Sequence, residues 1–69
     1  MKVFLTITAD TVRLVASAGD AGSVYQLFDK GVLVDVFETR KCARYEPQTF
    51  RRALDRYREL RGFKPLDSP

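Results

Sequence analysis

The 69-residue sequence contains no histidine and no tryptophan, a single cysteine, four glycines and three prolines. Without histidine there is no imidazole to serve as a general base beside a serine or cysteine, and a four-ligand zinc site cannot be assembled from Cys42. One cysteine excludes an internal disulfide, and small secreted domains usually carry several, so a reducing, cytoplasmic compartment is expected. No apolar run approaches the 18 or so residues of a membrane helix. Lys2 followed by an apolar stretch and Ala16-Ser17-Ala18 imitates a signal peptide, but Asp10 and Arg13 interrupt what would be its apolar core. Walker, dinucleotide-binding and Ser-x-x-Lys patterns are all missing, so a non-enzymatic protein without cofactor or metal is expected.

What is present is a globular composition, 45% apolar and 30% charged. A chain of this length forms one domain with one small core, which oligomerisation often supplements. Residues 1–64 are expected to form that domain and 65–69 a flexible tail. Charge is uneven. Residues 1–39 set three cations against five carboxylates, net −2, and residues 40–69 set nine against four, net +5, which together give +3.

Hydrophobic alternation with a period of two runs through Lys2–Thr8, Thr11–Ala18, Ser23–Asp29 and Val32–Glu38, predicting four strands. Ala9-Asp10, Gly19-Asp20-Ala21-Gly22 and Lys30-Gly31 supply the turns. A two-residue turn at Lys30-Gly31 predicts an unbroken ladder: Phe28 faces Leu33, Leu27 faces Val34, Gln26 faces Asp35, Tyr25 faces Val36 and Val24 faces Phe37. One side then carries Tyr25, Leu27, Val32, Val34 and Val36, the expected core. The other carries Val24, Phe28, Leu33 and Phe37 around a Gln26–Asp35 pair.

Tyr45–Phe63 reads as a helix with its terminators. Pro47 suits the first helical position, Tyr45 can staple onto Phe50, Gly62 can end the helix, and Phe63 is expected to fold back towards Tyr57. At 100° per residue, Phe50, Ala53, Leu54, Tyr57 and Leu60 share one stripe. Arg51, Arg52, Arg56 and Arg58 flank it, with Asp55 and Glu59 behind. Arginine stems commonly cover such margins while their heads stay in water. Phe50, Ala53, Tyr57 and Arg61-Gly62-Phe63 resemble the closing helix of WGR domains; lacking tryptophan, the chain has no Trp-Gly-Arg signature, and nothing is carried over from that family.

The predicted fold is therefore α+β: a four-stranded, mainly antiparallel sheet of two hairpins, with one C-terminal helix packed on one face. Phe4, Val15, Phe28, Leu33 and Phe37 are expected on the opposite face, where several large apolar side chains ask for a partner. The leading expectation is a small cytoplasmic protein that binds another protein and regulates or inhibits it by occlusion, with a homodimer also expected. Small inhibitors of phages and mobile elements, anti-CRISPR proteins among them, share this size class. Phe28, Leu33 and Phe37 would supply apolar area, and Arg51, Arg52, Arg56 and Arg58 charged contacts. The alternative is a nucleic-acid-binding protein that uses Arg40, Lys41, Arg44, Arg51, Arg52, Arg56 and Lys64. Stacking of single-stranded bases on the outer phenylalanines is a lesser reading, disfavoured by Asp35. Cys42 beside Lys41 and Arg44 lacks a base and reads as a bystander. Gly19–Gly22 joins strands and carries an aspartate, unlike an RNA-clamping loop.

Overall fold

A computed structural model describes residues 2–20, 22–39 and 46–63. Four strands, β1 (Lys2–Ala9), β2 (Val12–Gly19), β3 (Gly22–Asp29) and β4 (Val32–Glu38), are followed by one helix, α1 (Pro47–Leu60). The strands form a single antiparallel meander in the order β1-β2-β3-β4. The helix crosses one face, packing on β2, β3 and β4. Sheet and helix therefore give the expected α+β architecture.

The turns explain the tight meander. Lys30 and Gly31 both take positive φ, 54° and 81°, which matches the twist of a two-residue hairpin. Asp10 also takes positive φ in the turn between β1 and β2. These two turns lie at the same end of the sheet and are tied together. Lys30 N–H donates to the Thr11 carbonyl at 2.9 Å, and the Thr11 hydroxyl donates to Asp29 Oδ1 at 2.9 Å.

The core lies between sheet and helix. Leu14, Ala16, Tyr25, Leu27 and Ala53 are buried together, and Leu5, Ile7, Phe37, Phe50, Leu54, Tyr57 and Leu60 close around them. Ala53 is small enough to let the helix lie close to the sheet, where Tyr25 meets Phe50 with ring centroids 5.7 Å apart. Burying side chains the size of Leu14, Leu27 and Tyr25 contributes roughly 1.5–3 kcal/mol each. Among the described residues no buried side-chain polar atom is left without a partner.

Both outer strands depart from a straight ladder. In β1 the pairing slips between Val3, opposite Ser17, and Leu5, opposite Ala16, leaving Phe4 as the extra residue. In β4 it slips between Leu33, opposite Phe28, and Asp35, opposite Leu27, leaving Val34 as the extra residue. The second bulge corrects the register predicted from the hairpin. Beyond it, Gln26 faces Val36, Tyr25 faces Phe37 and Val24 faces Glu38. Val34 and Val36, expected in the core, are 41% and 39% exposed, and Val32 is 62% exposed. Asp35 and Phe37 turn to the helix instead, and the expected Gln26–Asp35 pair does not form.

The helix supplies the reason. Arg52 lies over the Phe37 ring at 5.3 Å, and Arg56 Nε reaches Asp35 Oδ2 at 3.2 Å. One extra residue at Val34 brings both a ring and a carboxylate beneath the arginine margin of α1. It also brings Thr39 to Ser23: Thr39 N–H donates to the Ser23 carbonyl at 3.0 Å, and Ser23 N–H donates to the Thr39 hydroxyl at 2.9 Å.

The helix ends as its sequence predicts, with one difference. Pro47 occupies the first turn, and Glu46 takes the extended cap position. Gly62, at φ 89°, donates to the Glu59 carbonyl at 2.9 Å, and Phe63 donates to the Arg58 carbonyl at 2.8 Å. This is the paired 5→2 and 6→1 closure of a helix C-terminus. Phe63 folds back beneath Arg58 and Arg61, 5.4 and 5.3 Å from its ring, where Tyr57 was expected. Arg40, Lys41, Cys42, Arg44, Tyr45, Lys64 and the tail at 65–69 lie outside the described residues. No helix of the described residues is long and apolar enough to cross a membrane.

Candidate functional site

The face of the sheet turned away from α1 has three rows of side chains, which follow from pairing and pleat. The first row is Thr8, Arg13, Phe28 and Leu33; the second is Thr6, Val15, Gln26 and Val36; the third is Val3, Ser17, Val24 and Glu38. Val34, the extra residue between Leu33 and Asp35, is 41% exposed at the β4 edge. No described element lies over this face.

Its chemistry is concentrated on β2, β3 and β4. Gln26, half-buried, is ringed by Val15 and Val36 on the neighbouring strands and by Val24 and Phe28 two residues either way along its own. Leu33, 47% exposed, and Val34 extend the apolar area to the edge. The charges on the face are Arg13 in the first row and Glu38 in the third, of opposite sign and at opposite ends. Leu33 and Val36 are exposed and Val15, Val24 and Phe28 half-buried, and a nearly neutral apolar cluster of this kind is what protein contacts bury.

Of the residues predicted for protein contact, Phe28 and Leu33 lie on this face as expected. Phe37 does not, nor does Phe4, which was expected on this face without being one of those contact residues. Phe37 packs with the core under Arg52. Phe4 stays with Leu5 on the helix side, edge-on to Tyr25 at 6.5 Å. In their place is Val36, which strict alternation puts on the wrong side, with Val34 exposed at the bulge two residues before it. Only a bulge exposes them, and the signal for that bulge lies in the helix, which has to match its arginines to Asp35 and Phe37.

The arginines of α1 sit on the other side of the molecule from the apolar rows. Arg52 and Arg58 are stacked on Phe37 and Phe63. Arg56 is shared between Asp35 and Glu59, the latter at 3.8 Å. Arg51 is exposed on the helix. The sheet face and the helix arginines are thus two separate surfaces, not one composite patch.

A shallow cleft lined by Lys2, Val3, Phe4, Ala18, Gly19, Asp20 and Ser23 lies at the far end of the sheet from the two tied turns. Among the described residues no group of three acidic, cysteine or histidine side chains is placed to hold a metal.

Fold and surface together define a class: a small α+β chain whose meander is sheathed on one side by a single helix and carries an uncovered apolar cluster on the other. No family model matches the chain, and neither the curated proteins nor the solved structures contain a match to it.

Proposed function

We propose that this chain is a non-enzymatic protein-binding module whose contact surface is the outer sheet face, and that it regulates or inhibits by occluding the surface it covers. The single observation that carries this reading is the cluster of Val15, Val24, Phe28, Leu33 and Val36 on a face that no described element covers. Such a cluster has the make-up of an interface core: large apolar groups, few charges, and a rigid strand backbone beneath. The occupant is a protein chain, of this sequence or another. The small size agrees with that of occluding inhibitors of phages and mobile elements.

Phosphate binding by the basic C-terminal half is the competing reading. The engagement of Arg52, Arg56 and Arg58 with groups of the chain itself weighs against it. The two separate in one experiment. The immobilised protein and its Val36→Lys and Leu33→Asp variants are exposed to host lysate, with and without nuclease, across a salt series. The proposal expects protein retention that survives nuclease, changes little with salt and is lost in both variants. Retention that falls steeply with salt, disappears with nuclease and ignores both variants would transfer the function to the basic half.

A further inference from the structure

We propose that the occupant of the outer face is a second copy of this chain, stacked sheet against sheet, with the two Gln26 side chains paired at the centre. This rests on the reading of that face as a protein contact surface and adds the identity of the partner.

Four observations point the same way. The first is area. Four strands of seven or eight residues make a plate of about 25 by 19 Å, about 500 Å² in projection. Side-chain relief brings that plate into the range of about 600–1,000 Å² per partner that stable interfaces bury.

The second is charge. The chain carries +3, yet this face holds only Arg13 and Glu38 among its described residues. Two copies meet here without opposing their basic halves, and an acidic partner gains nothing from choosing this side.

The third is the state of the edges. A sheet of this kind could also grow by adding strands at β1 or β4. Each of these carries a bulge, and the Val36 N–H on β4 is already taken by Asp35 Oδ1 at 2.9 Å. Bulges on edge strands discourage edge-to-edge pairing, which leaves the face as the route of association.

The fourth is Gln26. A polar side chain ringed by four apolar ones is costly to cover with a hydrophobic partner, because its amide would lose water without replacement. A two-fold contact sets residues near the axis against their own copies. A primary amide carries both a donor and an acceptor, so two glutamines across the axis satisfy each other reciprocally. No other occupant is matched to Gln26 by construction.

The test is light scattering of the pure chain from about 1 µM to 1 mM, which resolves dissociation constants across that span. It compares wild type with Val36→Lys, Gln26→Glu, Gln26→Lys and an equal mixture of the last two, each checked for fold by circular dichroism. The proposal expects a wild-type dimer and a monomeric Val36→Lys. It expects Gln26→Glu and Gln26→Lys each to weaken association at least about tenfold through like-charge contact, and the mixture to restore it. A wild-type chain that stays monomeric at about 1 mM overturns the second copy as occupant; the nuclease-treated capture experiment then stands as the independent test of the face. A dimer indifferent to Val36→Lys overturns both readings. A dimer that dissolves in Val36→Lys but ignores both charges at position 26 overturns the central glutamine pair.

Discussion

Removing Val34 from β4 and removing Val15 from β2 delete the same residue type from the same sheet, yet the structure assigns them unequal consequences. Val34 is the extra residue of the bulge, with Leu33 paired to Phe28 before it and Asp35 paired to Leu27 after it. Its removal leaves both pairings in place and straightens the strand. The loss is one partly exposed valine, so the expected change is within about 1 kcal/mol. Val15 sits in an unbroken central strand between Thr6 and Gln26. Its removal forces one half of β2 to turn over. Either Ala16 and its end of the strand leave the core, or Leu14 and Val12 do, at roughly 1.5–3 kcal/mol for each large side chain. In the second case Arg13 is also driven inward, which costs several kcal/mol more. The second case exceeds the ~3–5 kcal/mol that a core of this size supplies; the first, which puts the Ser17 hydroxyl where Ala16 was, costs about 1–3 kcal/mol and is the one the chain takes. Urea denaturation followed by far-ultraviolet circular dichroism reads both. The Val34 deletion should show a cooperative transition near the wild-type midpoint, and the Val15 deletion one at clearly lower urea. If the Val34 deletion lowers the midpoint as far as the Val15 deletion, β4 has no slack at that position and the register is wrong.

Three further outcomes follow from named contacts. Asp35→Asn combined with Arg56→Gln in a double-mutant cycle should return a coupling of about 0.2–1 kcal/mol that shrinks in high salt, because both side chains are only partly buried. Gly62→Ala should cost about 1 kcal/mol in thermal or urea unfolding, since the residue holds a φ of 89° that a Cβ disfavours. Lys30→Asn, at φ 54° in the hairpin turn, should stabilise by about 0.5 kcal/mol, read as a rise in Tm of roughly 2–4 °C.

The strands and the helix were legible because their periodicities are strong. The alternation in Lys2–Ala9 and Val12–Ala18 and the stripe from Phe50 to Leu60 each admit one interpretation. Lys30-Gly31 was legible as a turn for a reason of backbone chemistry, since glycine tolerates the φ the turn requires. The face assignments in β4 were not. Val32-Leu33-Val34-Asp35-Val36-Phe37 contains apolar side chains at both parities, so the pattern within the strand does not choose a side. A straight ladder turns Val34 and Val36 to the helix side. A bulged one buries Phe37, provides Asp35 to Arg56 and lets Thr39 reach Ser23. The second wins through contacts with α1 and with the far end of β3, which no local window contains. Phe4 was misplaced for the same reason, as the bulge in β1 keeps it beside Leu5.

The measurement closest to the central claim is methyl and aromatic NMR of the full-length chain with a soluble paramagnetic agent, recorded at low and high protein concentration. The account predicts that signals of Leu33, Val34 and Val36 are strongly attenuated in dilute solution and become protected as the protein is concentrated, while Leu27 and Phe37 are protected throughout. Attenuation of Phe37 alongside protected Val34 and Val36 in the dilute sample would contradict it, because the apolar side of β4 would then face the helix and the outer face would have no cluster to offer.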